Sequence, residues 1–334
     1  MLTTHHRFAP LHNRAFTLIE LLVVMAAMGA VAAAIYGIFG TSMRLYTNGV
    51  SAARTSYAIR EVFDRIAFDV AQSPGRYASP MALDTTTTPV QLNETLGSPA
   101  TALGLCKVVA GPLQMQSNTS TSSGYTAAVL VAPPTTTDTT GELVNSLANM
   151  NIKAGDYIKL VIGDAVETKI LTVSQSSGSW SLTFDPYKIT YSTNSNSTTD
   201  TTTVPVYVVR YSAYVVLKDL NIYSRNRDCL ALYDSLEVVA RRGGISYNPP
   251  SRLKLPANYL TKYTELVCTD LTQTTLTGAG TGWQPFRLNY NSDQPTVLIQ
   301  MGVKATEYDN LSNNADFYKT ANLDTSVYLR SNDL

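Results

Sequence analysis

RAFTLIELLVVMAAMGAVAAAIYGIFG, residues 14–40, is the stretch whose reading decides the fold. From residue 21 to residue 40 no side chain is charged. A helix rises about 1.5 Å per residue, so this run just crosses a hydrocarbon core of roughly 30 Å. A cleavable secretory signal has a shorter apolar core, with its small-residue cut site after the core. Here the small residue, Ala15, comes before it. A plain signal anchor is the bland alternative. Arg7 and Arg14, with no acid in residues 1–15, keep the leader on the cytoplasmic side. The chain after Gly40 then faces the periplasm or the exterior.

Glu20 interrupts the apolar run near its start. An ionised carboxylate in a membrane segment costs several kcal/mol unless it is paired or lies near the interface. If the chain is cut between Ala15 and Phe16, the new α-amino group lies four residues from Glu20. The amine of Phe16 in a neighbouring subunit then neutralises Glu20 inside a bundle of parallel helices. Snorkelling of Glu20 into the headgroups is the competing explanation.

Arg14-Ala15 followed by Phe16-Thr17-Leu18-Ile19-Glu20 and a continuous apolar helix resembles the class III signal of type IV pilins and of the pseudopilins of type II secretion. The resemblance implies that a prepilin peptidase cleaves after Ala15 and methylates the amine of Phe16. It departs from the family in having Ala15 where glycine is usual. Gly29, Gly37 and Gly40 stand in for a helix-loosening proline, and residues 16–73 are expected to form an interrupted helix of about 87 Å at full helical rise. More weakly, residues 56–77 and the tail 327–332 resemble PilW-type minor pilins and J-type minor pseudopilins.

Ile59, Val62, Phe63, Ile66 and Val70 recur at three- and four-residue spacing and make one apolar stripe. Arg60–Asp64, Glu61–Arg65 and Arg65–Asp69 are spaced as i,i+4 pairs on the other side. Pro74-Gly75 ends the pattern. This half is too polar for lipid and must dock on a domain. Beyond it, 156–162, 167–173 and 180–184 read as an antiparallel meander, with a turn at Gly163-Asp164. Further strands are expected at 204–217, 220–224, 236–239, 296–304 and 326–329. The threonine- and serine-rich runs 84–89, 118–123, 135–140 and 190–203 read as surface loops. The expected fold class is therefore α+β: a pilin-like long helix, transmembrane in its first half and amphipathic in its second, packed on an antiparallel sheet. Residues 1–15 form the leader, 16–40 the membrane and assembly half, 41–73 the amphipathic half, and 74–334 the extracytoplasmic β-rich domain.

The chain has 334 residues, with 25 basic and 25 acidic side chains. Loss of the leader removes Arg7 and Arg14, leaving 23 basic against 25 acidic, which gives no electrostatic surface for nucleic acid. Arg241-Arg242 reads as a solvated turn rather than a phosphate site. The leader also carries all three histidines, His5, His6 and His12. The remainder therefore has no Ser-His or Cys-His pair and no histidine metal ligand. HExxH, a phosphate-binding glycine loop and CxxC are absent from the sequence. No enzyme, cofactor or metal is expected. Cys106, Cys229 and Cys268 lie beyond the membrane segment, in an oxidising compartment on this topology. They allow one bridge, with Cys229–Cys268 preferred because both flank one region, and a buried inert thiol left over.

These readings converge on a structural protein: a minor type IV pilin that primes or caps pilus assembly. By the resemblance its partners are the prepilin peptidase, other minor pilins, the major pilin and the inner-membrane assembly platform. It is expected in the inner membrane as a single-pass protein, and afterwards in the fibre. A tip pseudopilin of type II secretion and a pilus-tip adhesin are the alternatives.

Overall fold

The structure, a computed structural model, describes residues 17–73, 77–95, 97–121, 124–131, 151–160, 166–176, 179–187, 205–222, 225–244, 249–269, 271–272, 284–289, 296–304 and 320–328. The chain divides into two units, Met1–Ala53 and Arg54–Leu334. One helix, α1 (Leu18–Gln72), contributes to both. The expected interruption at Gly29, Gly37 and Gly40 does not occur. Each glycine costs only about 1 kcal/mol of helix propensity. Opening the backbone among apolar side chains would strand amide groups at several kcal/mol each. Thr41 fits the same logic, because its hydroxyl donates to the Gly37 carbonyl at 2.8 Å and so is satisfied within the helix.

In the second unit, the apolar stripe falls where the spacing predicts. Ile59, Val62, Phe63, Ile66 and Val70 are all buried. They pack into one cluster with Leu103, Leu105, Tyr214, Val216, Leu230 and Leu232 of a large sheet and with Phe286, Leu288, Val297, Ile299 and Met301 of a smaller one. At about 1.5–3 kcal/mol per fully buried large apolar side chain, this stripe is the main attachment of the helix.

The large sheet contains β1 (Ser79–Asp84), β2 (Gln91–Glu94), β3 (Ala102–Thr121), β4 (Gly124–Val131), β5 (Tyr157–Leu160), β6 (Val166–Ser176), β7 (Ser179–Tyr187), β8 (Pro205–Ile222), β9 (Arg225–Tyr233), β10 (Glu237–Arg241), β11 (Pro250–Lys254) and β12 (Glu265–Cys268). The small one contains β13 (Leu271–Thr272), β14 (Phe286–Asn289), β15 (Thr296–Lys304) and β16 (Thr320–Tyr328). All pairings between these strands are antiparallel, including the expected meander β5–β6–β7.

Two long strands, β3 and β8, change partners along their length within the large sheet. Their paired halves around Ala102↔Val215 and Lys107↔Arg210 are flanked by β1 on one side and β9 on the other. Their remaining halves lead into β4, β7, β6 and β5, and the β3–β8 pairing closes those strands into a ring. Ile158, Ile170, Leu182, Phe184, Val206 and Val208 are buried but belong to neither cluster on the large sheet. By strand alternation they share the face turned into the ring. Closure of this kind removes exposed strand edges. The sheet half carries alternating residues into two cores: Leu103, Tyr214, Val216, Leu230 and Leu232 face the helix, while Ala102, Cys106, Val215, Ala231 and Tyr233 face a second cluster.

The strand β3 changes partners across two register shifts, between Val108 and Ala110 and between Ala110 and Leu113. Gly111 lies in that interval with φ 138°, and a Cβ there would stand 2.6 Å from Tyr207 Cδ1 and 3.0 Å from the Tyr207 Cα. Only glycine lets the two backbones approach this closely. Residues 118–121, expected in a loop, instead continue β3 and pair with β4 as far as Thr121↔Gly124. Threonine suits a strand when a partner is present, which local composition does not reveal. The two segments expected at 204–217 and 220–224 are one strand, β8, with a register shift between Leu217 and Leu220. The runs 135–140 and 190–203 and the turn at 163–164 lie outside the described residues. Gly111→Ala is expected to lower the stability of the full-length protein in detergent by about 2 kcal/mol, because the neighbouring atoms include backbone. Denaturant unfolding monitored by tyrosine fluorescence checks it, with Gly97→Ala as a control for positive φ in open space.

Candidate functional site

Helices leave their first amide groups without internal partners. At the start of α1, the Glu20 carboxylate accepts from the Thr17 amide at 2.9 Å and from the Thr17 hydroxyl at 3.0 Å. The Glu20 amide donates back to Thr17 Oγ1 at 3.3 Å. This is a reciprocal capping box, a feature for which T-x-x-E spacing is the sequence signal and which the charge-pairing expectation for Glu20 leaves out. Glu20 thus has a partner within its own chain. Ala15 and Phe16, the expected cut and methylation residues, lie outside the described residues, as does any geometry between Phe16 and Glu20.

Following the cap, every side chain from residue 17 to residue 39 is exposed, including Leu18, Ile19, Met25, Ile35, Tyr36 and Phe39. The helix is long and apolar enough to cross a membrane once. A continuous apolar surface of this size requires cover by lipid or by other helices. Residues 11–36 match the family model of the prokaryotic N-terminal methylation motif. The match supports a signal of the type IV pilin-like prepilin kind. No curated protein and no solved structure matches the chain. Among the described residues α1 is the one helix long and apolar enough to cross a membrane, and together with the prepilin-like motif it fits a single-pass, membrane-anchored protein.

The other half of the helix is held on its domain by polar contacts that surround the apolar stripe. Arg65 donates bidentately to Glu265 on β12, at 2.6 Å for both bonds. Asp69 accepts from the Tyr214 hydroxyl at 2.6 Å and pairs with Lys107 at 2.8 Å. Ser73 Oγ accepts the Cys106 amide at 3.1 Å. The i,i+4 spacing had assigned Arg65 and Asp69 to intrahelical pairs. In the fold both reach the sheet, where a bidentate partner and a buried hydroxyl offer stronger bonds than an exposed neighbour on the helix. Burial, and then the Asp69 carboxylate, raise the Tyr214 hydroxyl well above its ordinary pKa, so it stays a donor.

Arg241 is not part of a solvated turn, whereas Arg242 opens the short turn Arg242–Gly244 and stays partly exposed. Arg241 pairs with the buried Glu167 at 2.9 Å, and Tyr211 also donates to Glu167. The Arg241 guanidinium lies 5.9 Å from the Tyr157 ring centre and 5.7 Å from that of Tyr211. Arg242 pairs with Glu94. Long-range partners on β2 and β6 capture both cations, which neighbouring sequence does not show.

The preferred Cys229–Cys268 bridge is not formed, and all three cysteines are thiols in the structure. The two residues lie on adjacent strands but one step apart in register. Cys268 is opposite Leu230, on the helix-facing side, whereas Cys229 is opposite Leu217, on the second core's side. The Cys229 thiol instead donates to the carbonyls of Arg227 and Thr269 at 3.6 and 3.7 Å. Burial pushes the Cys106 thiol far above its ordinary pKa, which keeps it protonated.

The hydrogen bond from Arg65 holds the Glu265 carboxyl below its ordinary pKa. A carboxylate depressed in the folded state contributes stability above its unfolded pKa, near 4.3, and loses it as pH falls through the folded value. Glu265→Gln is therefore expected to flatten the acid limb of stability between about pH 5 and pH 3. Unfolding midpoints of both proteins across that range, at low and high salt, check it.

Proposed function

We propose that this chain is a minor type IV pilin, a structural subunit that helps to initiate or cap a pilus and catalyses no reaction. The observation that carries the reading is the pairing of an exposed apolar helix with a single carboxylate at its head, inside a methylation motif. The helix waits in the inner membrane and enters the fibre by exchanging lipid for the helices of neighbouring subunits. In that dry bundle the Glu20 carboxylate needs a cation. The α-amine that cleavage after Ala15 creates on Phe16 of the adjoining subunit supplies it, in place of the Thr17 cap that serves the isolated chain. The second unit, Arg54–Leu334, is bulky relative to one helix. Such bulk suits a priming or terminal position, where neighbours crowd it on one side only. The prepilin peptidase, other pilins and the inner-membrane assembly platform are its partners in this reading.

Two measurements test the proposal. The mass of the N-terminal peptide from cell-derived protein is expected to show a chain beginning at Phe16 with one added methyl group. Functional fibres containing chains that retain residues 1–15 would overturn the reading. Glu20→Ala is expected to leave membrane insertion intact while incorporation into fibres falls by more than about tenfold, the effect of losing roughly 1.4 kcal/mol. Normal incorporation would rule out the charge pairing.

A further inference from the structure

On the domain, the turn after β1, the corner between β9 and β10, and the segment after β11 enclose a cleft of about 640 Å³. That is within the size range of small-molecule sites. The corner is built under constraint. Ser235 has φ 57°, an uncommon conformation for a residue with a Cβ. It is held from both sides: the Asp234 amide donates to Thr264 Oγ1 at 2.9 Å, and the Leu236 amide donates to the Tyr211 carbonyl at 2.9 Å. Non-glycine residues in this region persist where the surroundings over-determine them, often at ligand sites. Beside Ser235, the Asp234 Oδ1 is buried without a hydrogen-bond partner among the described residues. Buried polar atoms are normally paired, so an orphan on a cleft wall calls for a reason.

The lining selects a ligand class. Lys254 of the lining pairs with Glu237 at 3.0 Å, and Glu237 also pairs with Lys169 at 2.9 Å, so the lining offers an anion no uncommitted cation. Among the described residues its one unpartnered charged group is the Asp234 carboxylate, an acceptor for O–H donors. Thr85, Thr88 and Ser235 line the cleft with hydroxyls that no hydrogen bond engages among the described residues. Hydroxyls both donate and accept. Pro89, Val90 and Pro256 add apolar surface to the same lining. A lining that combines uncommitted hydroxyls with small apolar surfaces suits a molecule that carries both O–H groups and C–H faces. We propose that this cleft binds a neutral saccharide, held by Thr85, Thr88 and Ser235, with the constrained Asp234-Ser235 corner setting its position. The inference is independent of how the chain assembles.

The full-length chain, kept in a detergent without a sugar head group, is titrated with glucose, galactose, mannose and N-acetylglucosamine. Binding is read by ligand-observed NMR and by the shift in thermal unfolding. At least one sugar is expected to bind saturably in the millimolar range and to raise the unfolding temperature. The double variant Thr85→Val, Thr88→Val changes exposed positions, and its unliganded unfolding temperature reports that it folds. It is expected to bind about tenfold or more weakly, the loss of one net hydrogen bond or more. Ser235→Gly keeps the left-handed corner, removes the hydroxyl and is expected to weaken binding similarly. Glu20→Ala is expected to bind with unchanged affinity, which separates this test from that of assembly. Failure of all four sugars to bind saturably, or equal binding by the cleft variants, would overturn the proposal. Saturable binding of sulfate or inorganic phosphate at the cleft in place of sugar would overturn its ligand class.

Discussion

Glu20 stands at the head of a helical segment whose apolar side chains are all exposed, and wherever that segment is covered the carboxylate must keep partners. In the isolated chain those partners are the amide and hydroxyl of Thr17. The same bonds satisfy an amide that the first turn of a helix would otherwise leave open. Local chemistry thus lets one side chain start the helix and make the acid tolerable in an apolar setting. The longer-range consequence is a surface that its own chain leaves uncovered, and a segment with that property is built for lipid or for other helices.

The same helix obeys a different rule in its second half. There the apolar residues occupy one stripe, and the stripe enters a core made by two sheets. Charged residues on its flanks bond to the sheet: Arg65 to Glu265, and Asp69 to Tyr214 and Lys107. The apolar contacts supply most of the attachment. The polar ones, being directional, fix rotation and register of the helix on the sheet. One element thereby couples a segment that needs outside cover to a domain with its own cores.

The large sheet closes part of itself into a ring because two of its long strands change partners along their length. Along β3 and β8 the partners change, so that one half of each belongs to a sheet packed on both faces and the other half to a closed ring. The change requires Gly111, since any Cβ there would collide with Tyr207. Buried ionic contacts sit where the ring strands meet the sheet. Glu167 of β6 binds Arg241 of β10, and Asp156, just before β5, binds Arg210 of β8. Such pairs are costly to break singly because each would leave a buried charge without compensation.

Whatever depends on near neighbours along the chain was legible from the residues alone: the apolar run and its acid, the stripe from Ile59 to Val70, the meander β5–β7 and the strand β15. Each is set by periodicity or by one local motif, and the T-x-x-E cap belongs with them. Everything that depends on pairing between distant residues was decided by the tertiary structure. Arg65 left its helical neighbours for a residue 200 positions away, Arg241 found Glu167, residues 118–121 became strand because β4 lies beside them, and a single step of register put Cys229 and Cys268 on opposite faces. Side-chain direction alternates with every residue of a strand, and partners are set by how the sheets close, so these outcomes have no local signature.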